Sequence, residues 1–275
     1  MVANVSLREE LIFLLNHAAE LEHSLACSYL FAGFSLKGSP DEGLSPEALK
    51  TVRGWKRTFG GIAIEEMMHL AVVNNLLTAL GAAPHFDRPN FPHDCAYYMP
   101  EYQIELLPFN LKTLRHFIAI EQPEGSNIPA VINPSRLQSV KGDLDNEIGP
   151  DPAQFDSQGD VYTAVEAGLR GLVARLGAGN VFIGPKPTPA IAKFFTANGW
   201  EPISDLDSTL RALELIVAQG EGAGHSSPDS HYRRFRAIEA EMMALLAQDS
   251  LFEPARPVLA NPFARTPPRA PAQLT

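Results

Sequence analysis

Four glutamates and two histidines, Glu22, Glu66, His69, Glu166, Glu221 and His231, fall at helical spacings that set them among apolar residues. Glu66 is the clearest. At about 100° of rotation per residue, Ile62, Leu70, Val73 and Leu77 all lie within roughly 40° of it, so a carboxylate occupies the middle of a core-facing stripe. His69 lies one turn on, at the edge of that stripe. A Glu-x-x-His pair at (i, i+3) puts one carboxylate beside one imidazole, an arrangement that holds divalent metal ions between helices. Burying an unpaired carboxylate costs several kcal/mol, so each such glutamate requires a cation, a hydrogen-bond network or a proton.

These side chains need long helices to position them. Residues 55–80 read as one helix, since Phe59, Ile62, Ala63, Leu70, Val73, Leu77 and Leu80 recur at three- and four-residue spacing and Gly81 supplies the stop. Residues 6–36 form an earlier helix, with Ser6 as N-cap and Glu9 completing a capping box. Its stripe is Leu11, Leu15, Ala18, Leu25, Ala26 and Tyr29, with Glu22 at the centre. Glu20 points to the solvent side, and His23 lies roughly 100° from Glu22. The connection Lys37–Pro46 is long enough for antiparallel packing of the two helices.

A third helix is expected from Asp160 to Leu176, closed by Gly177, with a stripe of Tyr162, Leu169 and Val173 and Glu166 at its centre. Arg170, one turn later, offers Glu166 a pairing partner as the alternative. The fourth begins near Asp205 and carries Leu210, Leu213 and Val217, joined at one-turn multiples by Glu214 and Glu221. A Gly/Ser/Pro-rich insert interrupts it. Helix resumes at Asp229 or Ser230 with His231, Phe235, Ile238, Met242 and Leu245 on one face. Glu221 and His231 can meet only if residues 222–228 loop out.

Residues 82–155 lie between the second and third long helices and are rich in Pro, Gly and Asp. A short strand within Tyr102–Leu107 and a short helix Leu111–Ile120, ended at Glu121, are the regular structure expected there, with His85 and His93 on loop surface. A break of this length is too long for a simple loop and predicts a cap over one end of the bundle, a candidate lid. Another short helix is expected near Ala190–Asn198, and beyond Leu251 a Pro-rich tail wraps the surface or is disordered.

At 275 residues and 45% hydrophobic, the chain can bury a sizeable core. It is read as one domain over 1–275, with helices 1 and 2 in 6–81, the irregular cap in 82–155, helices 3 and 4 in 156–248 and the tail in 249–275. The net charge of −10 argues against sequence-independent nucleic-acid binding and docking on anionic lipid. No apolar run approaches the ~20 residues of a membrane span. Residues 11–15 follow Glu9 and Glu10 instead of a basic region, so they are no signal peptide. Cys27 and Cys95 build no disulfide framework, which fits reduced thiols in a cytoplasm.

The fold class is thus all-α, and the set Glu22, Glu66 with His69, Glu166, and Glu221 with His231 reproduces the donors of a carboxylate-bridged dimetal bundle. Four uncompensated buried carboxylates would exceed a domain's stability margin of ~5–15 kcal/mol, and two divalent cations would offset them. The chain also resembles the ferritin-like domain family typified by the iminophenyl-pyruvate dimer synthases of bisindole biosynthesis. The matching stretches are Leu21-Glu22-His23 with Tyr29-Leu30, residues 62–81 containing Glu65-Glu66-Met67-Met68-His69, residues 117–124, Tyr162–Gly168, residues 216–222, and His231-Tyr232-Arg233-Arg234-Phe235. The resemblance implies a bacterial ferritin-like four-helix bundle, here with a long insertion between helices 2 and 3 and an interrupted helix 4, and the same six residues as ligands. Members of that family are longer chains, so no substrate carries across.

The first function expected is that of a non-haem di-iron oxidoreductase, with two Fe per chain and Mn as the alternative, that activates O2 or peroxide on a small organic substrate. Glu66 and Glu221 would bridge, Glu22 and Glu166 would be terminal, and His69 and His231 would each hold one metal. The alternatives are a ferroxidase that handles iron without an organic substrate, and a metal-free structural bundle, its acids paired with Arg170, Arg211 or Tyr29, acting as an interaction module. A homo-oligomer is allowed by each.

Overall fold

The computed structural model describes residues 7–88, 90–94, 103–123, 155, 157–220 and 229–262. Helix α1 runs Arg8–Ser35 and α2 runs Pro46–Ala79. They are antiparallel: Glu22 meets His69 near mid-length, while Arg8 at the start of α1 donates to the Leu80 carbonyl just past the end of α2. Towards the other end, the two backbones come close at Gly33, where a Cβ would stand 3.0 Å from that of Phe59.

Helix α2 begins earlier than its apolar period alone suggests. Ser45 accepts from the Ala48 N–H at 3.2 Å, Pro46 takes the first helical position, and Ala48, Leu49 and Val52 prolong the buried face. At the start of α1 the Leu7 N–H donates to Glu10 at 2.8 Å, and the expected capping box of Ser6 with Glu9 falls on Ser6, outside the described residues.

The other helices are α3 (Leu111–Ile120), α4 (Gln158–Leu176), the one-turn α5 (Ala178–Val181), α6 (Pro189–Ala197), α7 (Leu206–Gly220) and α8 (His231–Gln248). Side-chain caps start several of them, Asn110 for α3, Ser157 for α4 and Ser230 for α8. Helix α4 packs on α1 and α7, α7 also on α2, and α8 on α2 and α3. The interrupted fourth helix is thus α7 and α8, and residues 221–228 between them lie outside the described residues. The only sheet among the described residues pairs β1 (His93–Asp94) with β2 (Gln103–Ile104), antiparallel, His93 opposite Ile104. His93, expected on loop surface, is buried and hydrogen-bonded with Ser24 at 3.0 Å.

Trp55, Tyr29, Tyr162, Phe59, Phe117 and Phe235 are the largest fully buried side chains. Four of them form an aromatic layer drawn from α1, α2, α3 and α8. Tyr29 meets Phe117 edge-on at 4.8 Å, and Phe235 lies 5.3 Å from Phe59 and 5.7 Å from Phe117 between ring centroids. The segment after α8 binds back across the surface: Lys37 N–H donates to Pro254 O at 2.9 Å, Arg256 N–H to Ser35 O at 2.8 Å, and Asn261 N–H to Leu106 O at 2.8 Å. No helix of the described residues is long and apolar enough to cross a membrane.

Candidate metal centre

Four segments each deliver an acid or a base to one point in the core. Helix α1 brings Glu22, α2 brings Glu66 and His69, the residue that caps α3 is Glu121, and α8 begins at His231. All five are buried, His69 at 2% exposure and the rest at 0%. Such groups are tolerated in a dry interior only when paired or when they coordinate a cation.

Glu66 lies between the two histidines. Its Oε2 is 3.1 Å from His69 Nδ1 and its Oε1 is 2.8 Å from His231 Nδ1. Glu22 adds an oxygen 3.3 Å from His69 Nδ1, and Glu121 one 3.6 Å from His231 Nδ1. The imidazoles stack 5.6 Å apart at 25°. The result is two triads that share Glu66: Glu22, Glu66 and His69, and Glu66, Glu121 and His231, the donor atoms within each lying within 4.8 Å of one another.

Outer partners fix these side chains. His69 Nε2–H donates to Gln219 at 2.9 Å and His231 Nε2–H to Glu65 at 2.9 Å, and Arg234 forms an ion pair with Glu65. Tyr162 donates its hydroxyl to Glu22 Oε1, and Tyr29 donates to Glu121 Oε1. Four atoms of the cluster nevertheless stay unsatisfied: Glu22 Oε2, Glu66 Oε1, Glu121 Oε2 and His231 Nδ1 are buried with no hydrogen-bond partner. Carboxylate and imidazole groups buried without a hydrogen-bond partner fit a divalent cation, which would accept their lone pairs. Gly220 ends α7 against this cluster, where a Cβ would stand 3.3 Å from Glu121 Oε2.

In the metal-free protein, protons balance the charge. Burial, reinforced by the charge of Glu66, pushes Glu22 up to about 8. Burial works in the same direction on Glu66, but the charge of His231, with the hydrogen bond and charge of His69, outweighs it and holds Glu66 well below the usual carboxylate range. His69, which burial alone would lower, is raised to about 10 by its contacts with Glu22 and Glu66, and His231 is raised well above its ordinary value against the same burial. A metal ion held here would displace protons from the imidazoles.

Of the six residues expected at the site, the structure brings together Glu22, Glu66, His69 and His231. Glu221 lies outside the described residues. The inward position expected for Glu166 is corrected: its side chain is 42% exposed and it pairs with Arg170 at 2.8 Å. The buried face of α4 runs through Val161, Val165, Gly168, Leu169 and Leu172, which turns Glu166 to the rim. Glu214 on α7 is exposed. Glu121, not anticipated as a donor, follows Leu114 and Phe117 on the buried stripe of α3, and extending that stripe by one turn would have reached it.

A ferritin-like family model matches residues 15–240. The chain is 28% identical over 280 residues to the 2-imino-3-(indol-3-yl)propanoate dimerase of Chromobacterium violaceum, covering 94% of this chain and 26% of that protein. It is 28% identical over 296 residues to dichlorochromopyrrolate synthase of Lentzea aerocolonigenes, covering 94% and 27%. The chain therefore spans about a quarter of the length of the curated relatives it matches. A solved ferritin-like protein from Caulobacter vibrioides is similar with a TM-score of 0.52 at 19% identity, over 84% of this chain and 72% of that one, a likeness of fold alone.

Proposed function

The chain belongs to the ferritin-like family, and we propose that, like the dimerase and synthase it resembles, it serves secondary metabolism, its buried acids and histidines holding two divalent metal ions for the oxidation of a small organic substrate. Glu22 and His69 hold one ion, Glu121 and His231 the other, and Glu66 is common to both. Iron is the metal favoured by a mixed carboxylate and imidazole donor set, with manganese second. Bound iron would supply the redox chemistry by which O2 or peroxide acts on the substrate.

The chain's own residues do the rest. The Tyr162 and Tyr29 hydroxyls orient Glu22 and Glu121 by donating to Oε1 of each, which on Glu22 leaves Oε2 facing His69. Phe117 and Phe235, packed on Tyr29, keep bulk water from that side of the centre. The relatives' names give an indolyl imino acid and a chromopyrrolate as what those proteins handle, so aromatic imino acids are the first substrate class to assay.

The observation that carries this reading is Glu66 set between two imidazole nitrogens, with Oε1 and His231 Nδ1 both lacking hydrogen-bond partners. The test is metal analysis of protein expressed with iron. About two ions per chain are expected for this donor set. Less than about a tenth of an equivalent of Fe, Mn or Zn rejects the proposal, since a centre built around cations cannot stay empty when they are supplied.

A further inference from the structure

Among the described residues the inner donors of the centre are matched in kind and the outer ones are not. Each half has a glutamate of its own, a histidine presenting Nδ1 and a share of Glu66. Each half also has a tyrosine hydroxyl on its own glutamate, Tyr162 on Glu22 and Tyr29 on Glu121. The difference lies behind the imidazoles. His69 Nε2–H ends on the neutral amide of Gln219, whereas His231 Nε2–H ends on the carboxylate of Glu65 at the same 2.9 Å. Arg234 contacts Glu65 through two nitrogens and holds that carboxylate in place.

A carboxylate behind an imidazole fixes its tautomer and leaves more electron density on the opposite nitrogen than a neutral amide does. Nδ1 of His231 is therefore the stronger nitrogen donor of the two. Resting on the dimetal reading above, we infer that the two metal positions are unequal, that the His231 position fills first, and that Glu65 is the positioning residue that sets this order. Glu65 precedes Glu66 on α2, so neighbouring acids take different tasks: Glu66 faces both ions, and Glu65 acts through His231.

The test is a titration of the metal-free full chain with Mn(II), followed by loss of the free-ion electron paramagnetic resonance signal. Two steps are expected, the first at least about tenfold tighter than the second. Glu65→Gln keeps the side chain's size and removes its charge. It should weaken the tight step by about 10–100-fold, the usual range for loss of an outer-sphere partner, and leave the other step in place. Gln219→Glu supplies the missing charge behind His69 and should tighten the weak step, which covers the case in which Glu65→Gln folds poorly. Two wild-type steps of equal affinity, or a Glu65→Gln protein in which both weaken alike, overturn this inference and leave the dimetal proposal standing. A wild-type chain that binds neither Mn(II) nor Fe(II) overturns both.

Discussion

Oε1 of Glu66 and Nδ1 of His231 stand 2.8 Å apart, fully buried, with no hydrogen bond between them. In a dry interior the two are held by their charges, His231 raised and Glu66 lowered by each other, and a cation beside them would take both as ligands.

Glu66→Gln removes the charge that both histidines face. Metal content should fall from about two ions per chain to under about half of one, because each position loses a donor they share. The metal-free variant should also lose about 3–5 kcal/mol, the usual cost of deleting one member of a buried charged network. Elemental analysis and urea unfolding measure the two effects, and a variant that keeps its metal contradicts the shared role of Glu66.

Tyr162→Phe leaves Glu22 Oε1 without its donor at a position that is 0% exposed. A cost of about 1–3 kcal/mol is expected for an orphaned buried acceptor. Thermal unfolding in the presence of a chelator should show it, since there the metal cannot mask the loss.

Glu166→Ala should do almost nothing. The Glu166–Arg170 pair is half exposed on one turn of α4, and such pairs contribute about 0.3–0.5 kcal/mol. Iron content should match the wild type, and a loss of metal in this variant would restore Glu166 to the site.

How much of this the sequence discloses depends on where each residue sits relative to its helix. Glu22, Glu66 and His69 are legible because long apolar runs on either side fix the rotation of α1 and α2. His231 is legible as the head of the stripe that continues through Phe235, Ile238 and Met242. Glu166 is misplaced because Tyr162, Leu169 and Val173 alone set the stripe of α4 too far round, and Val161, Val165 and Leu172 turn it back. Glu121 caps a ten-residue helix and has no period of its own beyond it. The Glu65–His231 pairing joins residues 166 apart in the chain, which no local pattern encodes.

The C-terminal strap should respond to acid. Hydrogen bonds from Arg256, and then from the backbone N–H groups of Gly38 and Ser39, lower Glu42 to about 2 from its ordinary 4.5. A carboxyl lowered on folding contributes stability that is complete above the unfolded value and disappears as pH falls through the folded one. The strap should hold at pH 5 and above and loosen between about pH 4 and pH 2. Exchange of the Lys37 and Arg256 amide protons across that window measures it, and Arg256→Gln should exchange quickly already at neutral pH.

The missing side chain at Gly33 reaches further than its own neighbourhood. With 3.0 Å between a would-be Cβ and Phe59, a methyl group there would wedge α1 from α2. The same two rods carry Glu22 on one and Glu66 with His69 on the other. The spacing between Glu22 and the Glu66–His69 pair is thus partly set three turns away, by an atom that is not there.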